Sequence, residues 1–163
     1  MNIRGAIFDL DGTLTDSMYI WQKAPVDLVR RYGGDPPEDL ARDLKEMGRR
    51  EAAEYLRSRF SLSTTPEELM DTLNDLVTEE YRSRVPMKSG ADRLLARRAD
   101  SGISCCIATA SEAFQARAAM ERLGLWPHFR FAVSCVQYGG KTRPDIYLEA
   151  ARRLGTALAE TVV

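Results

Sequence analysis

The sequence predicts an α/β fold, a parallel-sheet layer interrupted near its start by a helical insertion. Three observations predict it. A short apolar run, IRGAIFDL, ends at Asp9 and Leu10. From about Met18 to Arg84 the apolar residues recur at helical spacing, and no stretch reads as a convincing strand. After VPMKSG (85–90), strand-like and helix-like runs alternate. Alternation of that kind implies crossover units and parallel pairing, with right-handed crossovers that put helices on both faces of the sheet.

Each element has its own local reason. IRGAIFDL is short and nearly continuously apolar, as suits a strand buried on both faces. DGTLTDS (11–17) reads as a loop. Four stretches carry helical periodicity in the insertion: YIWQKAPVDLVRRYGG, EDLARDLKEMG, RREAAEYLRSRF and TPEELMDTLNDLVTEEYRSR, with GGDPP and SLSTTP as breaks. Thr65 is a good helix cap, with Pro66 at the first helical position and Glu67 and Glu68 at the positive end of the helix dipole. In the second half, ADRLLARRAD reads as a helix and GISCCIAT as a strand. SEAFQARAAMERLG follows as a helix capped by Ser111 and closed by Gly124, and FRFAVSC as a strand. RPDIYLEAARRLG is a helix with Pro144 near its first turn and Gly155 past its end, and ETVV begins a further strand.

Bulk properties exclude some functions. The chain has 163 residues and a formal net charge of -1, without the basic excess expected of a general nucleic-acid binder. No apolar run approaches the roughly 18 residues needed to cross a bilayer, and the N-terminus lacks the pattern of a signal peptide. A soluble, cytoplasmic protein without a membrane partner is the expectation. Three cysteines, Cys105, Cys106 and Cys135, form no disulfide framework, and the adjacent pair reads as buried thiols on opposite faces of one strand. His128 is the single histidine, which excludes a multi-histidine metal site.

Three stretches carry candidate chemistry, and each has an ordinary reading when taken alone. In FDLDGTLTDS, Asp9 and Asp11 leave the end of a strand, where an Asp-Gly turn is also common. In CIATAS, Thr109 ends an apolar strand before a helix whose N-terminal N–H groups suit an anion, although Ser111 is equally a helix cap. In YGGKTRPD, Lys141 is a compact cation in a Gly-rich loop, suited to phosphate but equally to solvent. Together they share one address, C-terminal to a strand, where ligands of open parallel sheets bind. A carboxylate pair, a hydroxyl with N–H donors and a cation are the equipment for phosphoryl transfer to a carboxylate.

On DLDGT, on Thr109 in IATAS and on Lys141 in GGKTRPDIYLEAARRLG, the sequence resembles the haloacid dehalogenase superfamily, in its β-phosphoglucomutase-like phosphatase branch with a helical cap. VPMKSGADRLLARRADSGISCCIATAS resembles that family's passage from cap back to core, and the likeness runs through nearly the whole chain. The resemblance implies a Rossmann-like core from residues 1–16 and 87–163 with a helical cap at 17–86. It implies Asp9 as the nucleophile that becomes an aspartyl-phosphate, and Asp11 as the acid and base at the leaving oxygen and the attacking water. It implies Mg²⁺ held by the Asp9 carboxylate and the Asp11 carbonyl, and a phosphate held by Thr109, the Ala110 N–H and Lys141. The presence of Asp11 favours a phosphate ester over a phosphonate, and the substrate expected is a small phosphorylated metabolite.

In the insertion, EMGRREAAEYL lies where related caps present a substrate loop, so Arg49 or Arg50 could meet a second anionic group, or both could be solvated at a helix start. The resemblance also implies a fourth motif, one or two acidic residues after a further strand. ALAETVV reads as the approach to that strand, so the chain is expected to be C-terminally incomplete, weak or inactive as written, and open to self-association along a sheet edge. A phosphosugar mutase is the alternative within the same chemistry, and a non-catalytic fragment or interaction module on the same fold is the alternative outside it.

Overall fold

The apolar run before Asp9 forms β1 (Gly5–Phe8) in the computed structural model, which describes residues 2–163. The chain then runs through α1 (Ile20–Arg31), α2 (Leu40–Asp43), α3 (Arg49–Arg59) and α4 (Pro66–Ser83). It returns through α5 (Ala91–Asp100), β2 (Ser104–Thr109), α6 (Ala113–Arg122), β3 (Phe129–Ser134), α7 (Asp145–Leu154) and β4 (Thr161–Val162). Residues 1–16 and 81–163 form one compact unit, and residues 17–80 form another.

In the first unit the four strands are all parallel and stand in the order β3-β2-β1-β4. The chain moves outward from β1 through β2 to β3, then crosses back to the far side of β1. Strand direction of travel therefore reverses around β1, and Asp9 leaves the carboxyl end of that strand. The register between β2 and β3 slips once: Cys105 pairs with Phe129, but Ile107 pairs with Ala132. Gly5 opens β1 beside the connection from α7 to β4, where a Cβ would stand 2.7 Å from the Thr156 hydroxyl. The absence of a side chain there is what allows the close approach.

The apolar pattern of the strands sorts by face. Ile146 and Ala150 of α7 pack with Ile7, Cys106, Ala108 and Val133. By alternation Cys105 and Ile107 point to the opposite face, where they too are buried. The adjacent thiols are thus split across the sheet. Burial pushes the Cys106 thiol up to about 12 and raises Cys105 as well.

The chain leaves and re-enters this unit through paired connectors. The Asp16 N–H donates to the Pro86 carbonyl at 2.9 Å, and the Lys88 N–H donates to the Leu14 carbonyl at 2.9 Å. Thr15 pairs with Met87 in an antiparallel bridge between them.

The second unit is helical, with Leu28, Val29, Leu40, Leu56, Leu62 and Leu69 among its buried core residues. Thr65 caps α4 as its sequence predicts. Its hydroxyl accepts from the Glu68 N–H at 3.2 Å, and the Glu68 carboxylate accepts from the Thr65 N–H at 2.9 Å. EDLARDLKEMG departs from expectation, since only Leu40–Asp43 of it is helical. Leu40 is its one buried helical residue, so the segment has too narrow an apolar face to hold a longer helix. It continues as tight turns, with Lys45 bonding back to Arg42 and Met47 to Leu44. Among the described residues no helix is long and apolar enough to cross a membrane.

Candidate active site

The loop after β1 is wound around one carbonyl. The Leu10 oxygen accepts from the N–H groups of Leu14 at 2.9 Å and Thr15 at 3.0 Å, and from the Thr15 hydroxyl at 3.1 Å. Leu10 and Leu14 are buried and anchor this turn in the core. Gly12 turns the chain at φ 79°, in the left-handed region where glycine carries no Cβ penalty. A short polar stretch is thereby fixed by its apolar neighbours, and Asp9 and Asp11 project from a held backbone.

Asp9 meets a cation and a backbone donor. The Lys141 ammonium donates to Asp9 Oδ1, and the Leu10 N–H donates to the same oxygen at 2.7 Å. The Asp9 side chain is 43% exposed and the Lys141 side chain 26% exposed, so the pair is open to an incoming ligand on one side. Lys141 arrives from the loop after β3, in which Gly139 and Gly140 both take positive φ.

Asp11 meets hydroxyl groups. Its Oδ2 accepts from Ser111 Oγ at 2.7 Å, with Thr109 Oγ1 at the longer distance of 3.5 Å. Its Oδ1 accepts from the Tyr81 hydroxyl. The Tyr81 and Ser111 hydroxyls themselves lie 3.0 Å apart. Thr109 Oγ1 accepts from the Ser111 N–H at 3.0 Å, which ties the end of β2 to the turn that opens α6.

Ser111 is therefore not the helix cap its position suggests. The N-cap of α6 is Glu112, one residue later, and the Gln115 side chain accepts from the Glu112 N–H at 3.1 Å. With the start of the helix satisfied there, the Ser111 hydroxyl turns toward Asp11. Tyr81 is the site residue that the sequence conceals. It sits in an amphipathic helix, where a buried aromatic reads as core, and nothing local distinguishes it.

The predicted residues Asp9, Asp11, Thr109 and Lys141 stand together in the first unit, with the exposed Ala110 directly after Thr109. Arg49 and Arg50 open α3 in the second unit. The Arg50 guanidinium is shared between Glu67 at 2.7 Å and Glu54 at 3.1 Å, and these carboxylates raise its pKa further. His128 lies in a 3₁₀ turn, Trp126–His128, before β3. Among the described residues, no three His, Cys, Asp or Glu side chains stand together as a metal cage. The metal-holding oxygens that the resemblance implies, the Asp9 carboxylate and the Asp11 carbonyl, belong to one loop. Such a set fits a hard cation that keeps water and substrate phosphate as its other ligands, as Mg²⁺ does.

Comparison with known proteins gives the family. The profile of the family described as haloacid dehalogenase-like hydrolase matches residues 6–163. The chain is 30% identical over 163 residues to Hexitol phosphatase A of Escherichia coli, covering all of this chain and 74% of that protein. It is 25% identical over 162 residues to the Phosphorylated carbohydrates phosphatase of Thermotoga maritima, covering 99% of this chain and 75% of that one. Among solved structures, a Thermotoga maritima protein assigned as a beta-phosphoglucomutase superposes with a TM-score of 0.83 at 25% identity, over 99% of this chain and 75% of that one.

Proposed function

Because the chain belongs to the haloacid dehalogenase-like hydrolase family and is a phosphoric monoester hydrolase of it, we propose that Asp9 and Asp11 divide its reaction between them, on a small phosphorylated metabolite. The carrying observation is the pairing of the Asp9 carboxylate with Lys141 at the carboxyl end of β1, with Asp11 two residues on among hydroxyl groups. A nucleophile with a cation at its side and a second carboxylate in a different setting is what the reaction needs.

An Asp9 oxygen attacks phosphorus, the P–O bond to the leaving alcohol breaks, and an aspartyl-phosphate forms. Asp11 gives its proton to the departing oxygen, because an alkoxide leaves poorly. Asp11 then takes a proton from a water that attacks the phosphorus, which releases inorganic phosphate and restores Asp9. Thr109, the Ala110 N–H and Lys141 hold the non-bridging oxygens as charge shifts. Asp9 and the Asp11 carbonyl would hold Mg²⁺, which supplies screening between an anionic nucleophile and an anionic substrate.

The names of the Escherichia coli and Thermotoga maritima relatives support a sugar or polyol phosphate as substrate class. We assign recognition of the rest of the substrate to the helical insertion, residues 17–86 on the sequence reading, with Arg49 or Arg50 as anion contacts. Arg50 would then exchange its carboxylate partners for substrate. The free, buried cysteines accord with a cytoplasmic setting.

The test is a panel of phosphorylated metabolites with Mg²⁺, comparing the wild-type chain with Asp9→Asn. Phosphate release by wild type that is lost in Asp9→Asn supports the reading, and equal release by both overturns it. One observation favours a second reading, the likeness to a structure assigned as a beta-phosphoglucomutase. A phosphosugar mutase would need a bisphosphate activator and would release little inorganic phosphate, so the same panel separates the two.

A further inference from the structure

We propose that Tyr81, together with Ser111, is the positioning device for the acid/base carboxylate Asp11, a proposal that rests on the phosphatase reading above. The Asp11 carboxylate is gripped at both oxygens, by the Tyr81 hydroxyl at Oδ1 and by Ser111 Oγ at Oδ2, 2.7 Å away. The two hydroxyls lie 3.0 Å from one another, so the three groups close a triangle. Two donors on the two oxygens fix the rotation of the carboxylate plane.

The grip is rigid because its members are. Tyr81 is 0% exposed and Ser111 is 1% exposed. Tyr81 is held from its other end as well: Arg122 of α6 donates from Nε to the Tyr81 carbonyl at 3.2 Å and from its terminal nitrogen to the Val85 carbonyl. The backbone that carries the phenol is therefore anchored to α6, and full burial restrains the ring itself. Asp11 stands on a loop, and a loop carboxylate that must meet a leaving oxygen gains from such an external frame.

Acting through Asp11 has a signature that a merely structural role lacks. The value of kcat/KM reports steps up to departure of the leaving group. That step needs an acid for an alkyl phosphate and scarcely needs one for an aryl phosphate with an acidic phenol. The experiment measures kcat/KM with β-glycerophosphate and with p-nitrophenyl phosphate for wild type, Tyr81→Phe, Ser111→Ala, Asp11→Asn and the Tyr81→Phe/Asp11→Asn double variant.

Tyr81→Phe is expected to lose about 10- to 100-fold on β-glycerophosphate, a part of the usual acid-catalysis contribution, and less than about threefold on p-nitrophenyl phosphate. In the Asp11→Asn background the same substitution is expected to change neither value. Equal losses on both probes, no loss on β-glycerophosphate, or a further loss in the double variant each overturns the proposal. Should Tyr81→Phe fail to fold, Ser111→Ala carries the same contrast. If Asp9→Asn, measured in the same way, turns over both probes like wild type, or if wild type turns over neither probe nor any member of the metabolite panel, the phosphatase reading falls and the proposal falls with it. Failure of the leaving-group contrast alone leaves that reading standing.

Discussion

Lys141 donates to the Asp9 carboxylate across 132 residues of sequence, so the lysine of the Gly-rich loop sits directly on the proposed nucleophile. Only the fold brings them together. In the proposed reaction that cation also faces the phosphate oxygens. Lys141→Ala is expected to lower kcat/KM by about 10²- to 10³-fold, the scale of removing one charge-stabilising donor. It should also weaken competitive inhibition by inorganic phosphate. Lys141→Arg is expected to recover only part of the rate, because a planar fork does not replace a point charge at one oxygen. Steady-state kinetics with a phosphate ester check both.

Metal removal gives a separate test. The oxygen donors at Asp9 and Asp11 are too few to hold a cation without water and phosphate. Chelation with EDTA is expected to abolish phosphate release, and added Mg²⁺ to restore it. Ca²⁺ is larger and takes more ligands, so it is expected to restore less. Activity that survives exhaustive chelation would remove Mg²⁺ from the proposed reaction.

The cap of α4 makes a prediction about stability. Thr65 and Glu68 exchange reciprocal bonds at the start of that helix. Thr65→Ala is expected to cost about 1 kcal/mol and Thr65→Ser much less, read from the urea midpoint by circular dichroism. The Thr64 hydroxyl, followed by the Thr65 N–H, lowers the Glu68 pKa below its ordinary 4.5. A lowered carboxylate pKa contributes stability above the unfolded value and loses it as pH falls through the folded value. Thr64→Ala, which removes the first of these donors, is therefore expected to lessen the stability that wild type loses as pH falls below about 4.5, whereas Thr65→Ala keeps both donors.

The thiols make another. Cys105, Cys106 and Cys135 are all buried and free. A thiol reagent at pH 8 is expected to label the native protein slowly and to count three thiols after denaturation. Burial raises the Cys106 thiol to about 12. Between the ordinary 9.0 and that value the unfolded chain gives up a proton that the native chain keeps, so stability falls as pH rises through this window. Cys106→Ala is expected to flatten that alkaline slope, measured by denaturant titration at several pH values.

The sequence made the order of strands and helices legible because each element carries its own punctuation. Thr65-Pro66 opens α4, and Gly155 ends α7 in the left-handed conformation. The carboxylate pair, Thr109 and Lys141 could be singled out because each lies at or beyond the carboxyl end of a strand, Thr109 as the last residue of β2 and Lys141 in the loop beyond β3. What the sequence hid is whatever depends on long-range pairing. Tyr81 bonds Asp11 from 70 residues away, and its helix gives it the pattern of any core aromatic. Ser111 carried the right residue type for a cap, and only the satisfaction of Glu112 by Gln115 shows that its hydroxyl serves Asp11 instead. α2 failed as a long helix because periodicity without a broad apolar face has nothing to pack.

The pairing of Thr15 with Met87, flanked by the bonds from Asp16 to Pro86 and from Lys88 to Leu14, has a consequence for how such a protein can change over time. Both ends of the helical insertion are stitched side by side within the sheet unit. The entropy of closing a loop between fixed ends grows only slowly with its length. Insertions of different size and sequence can therefore hang from the same two stitches without disturbing the register of β1 against β2. On the proposed function, recognition is then left to drift while the phosphoryl chemistry stays where it is.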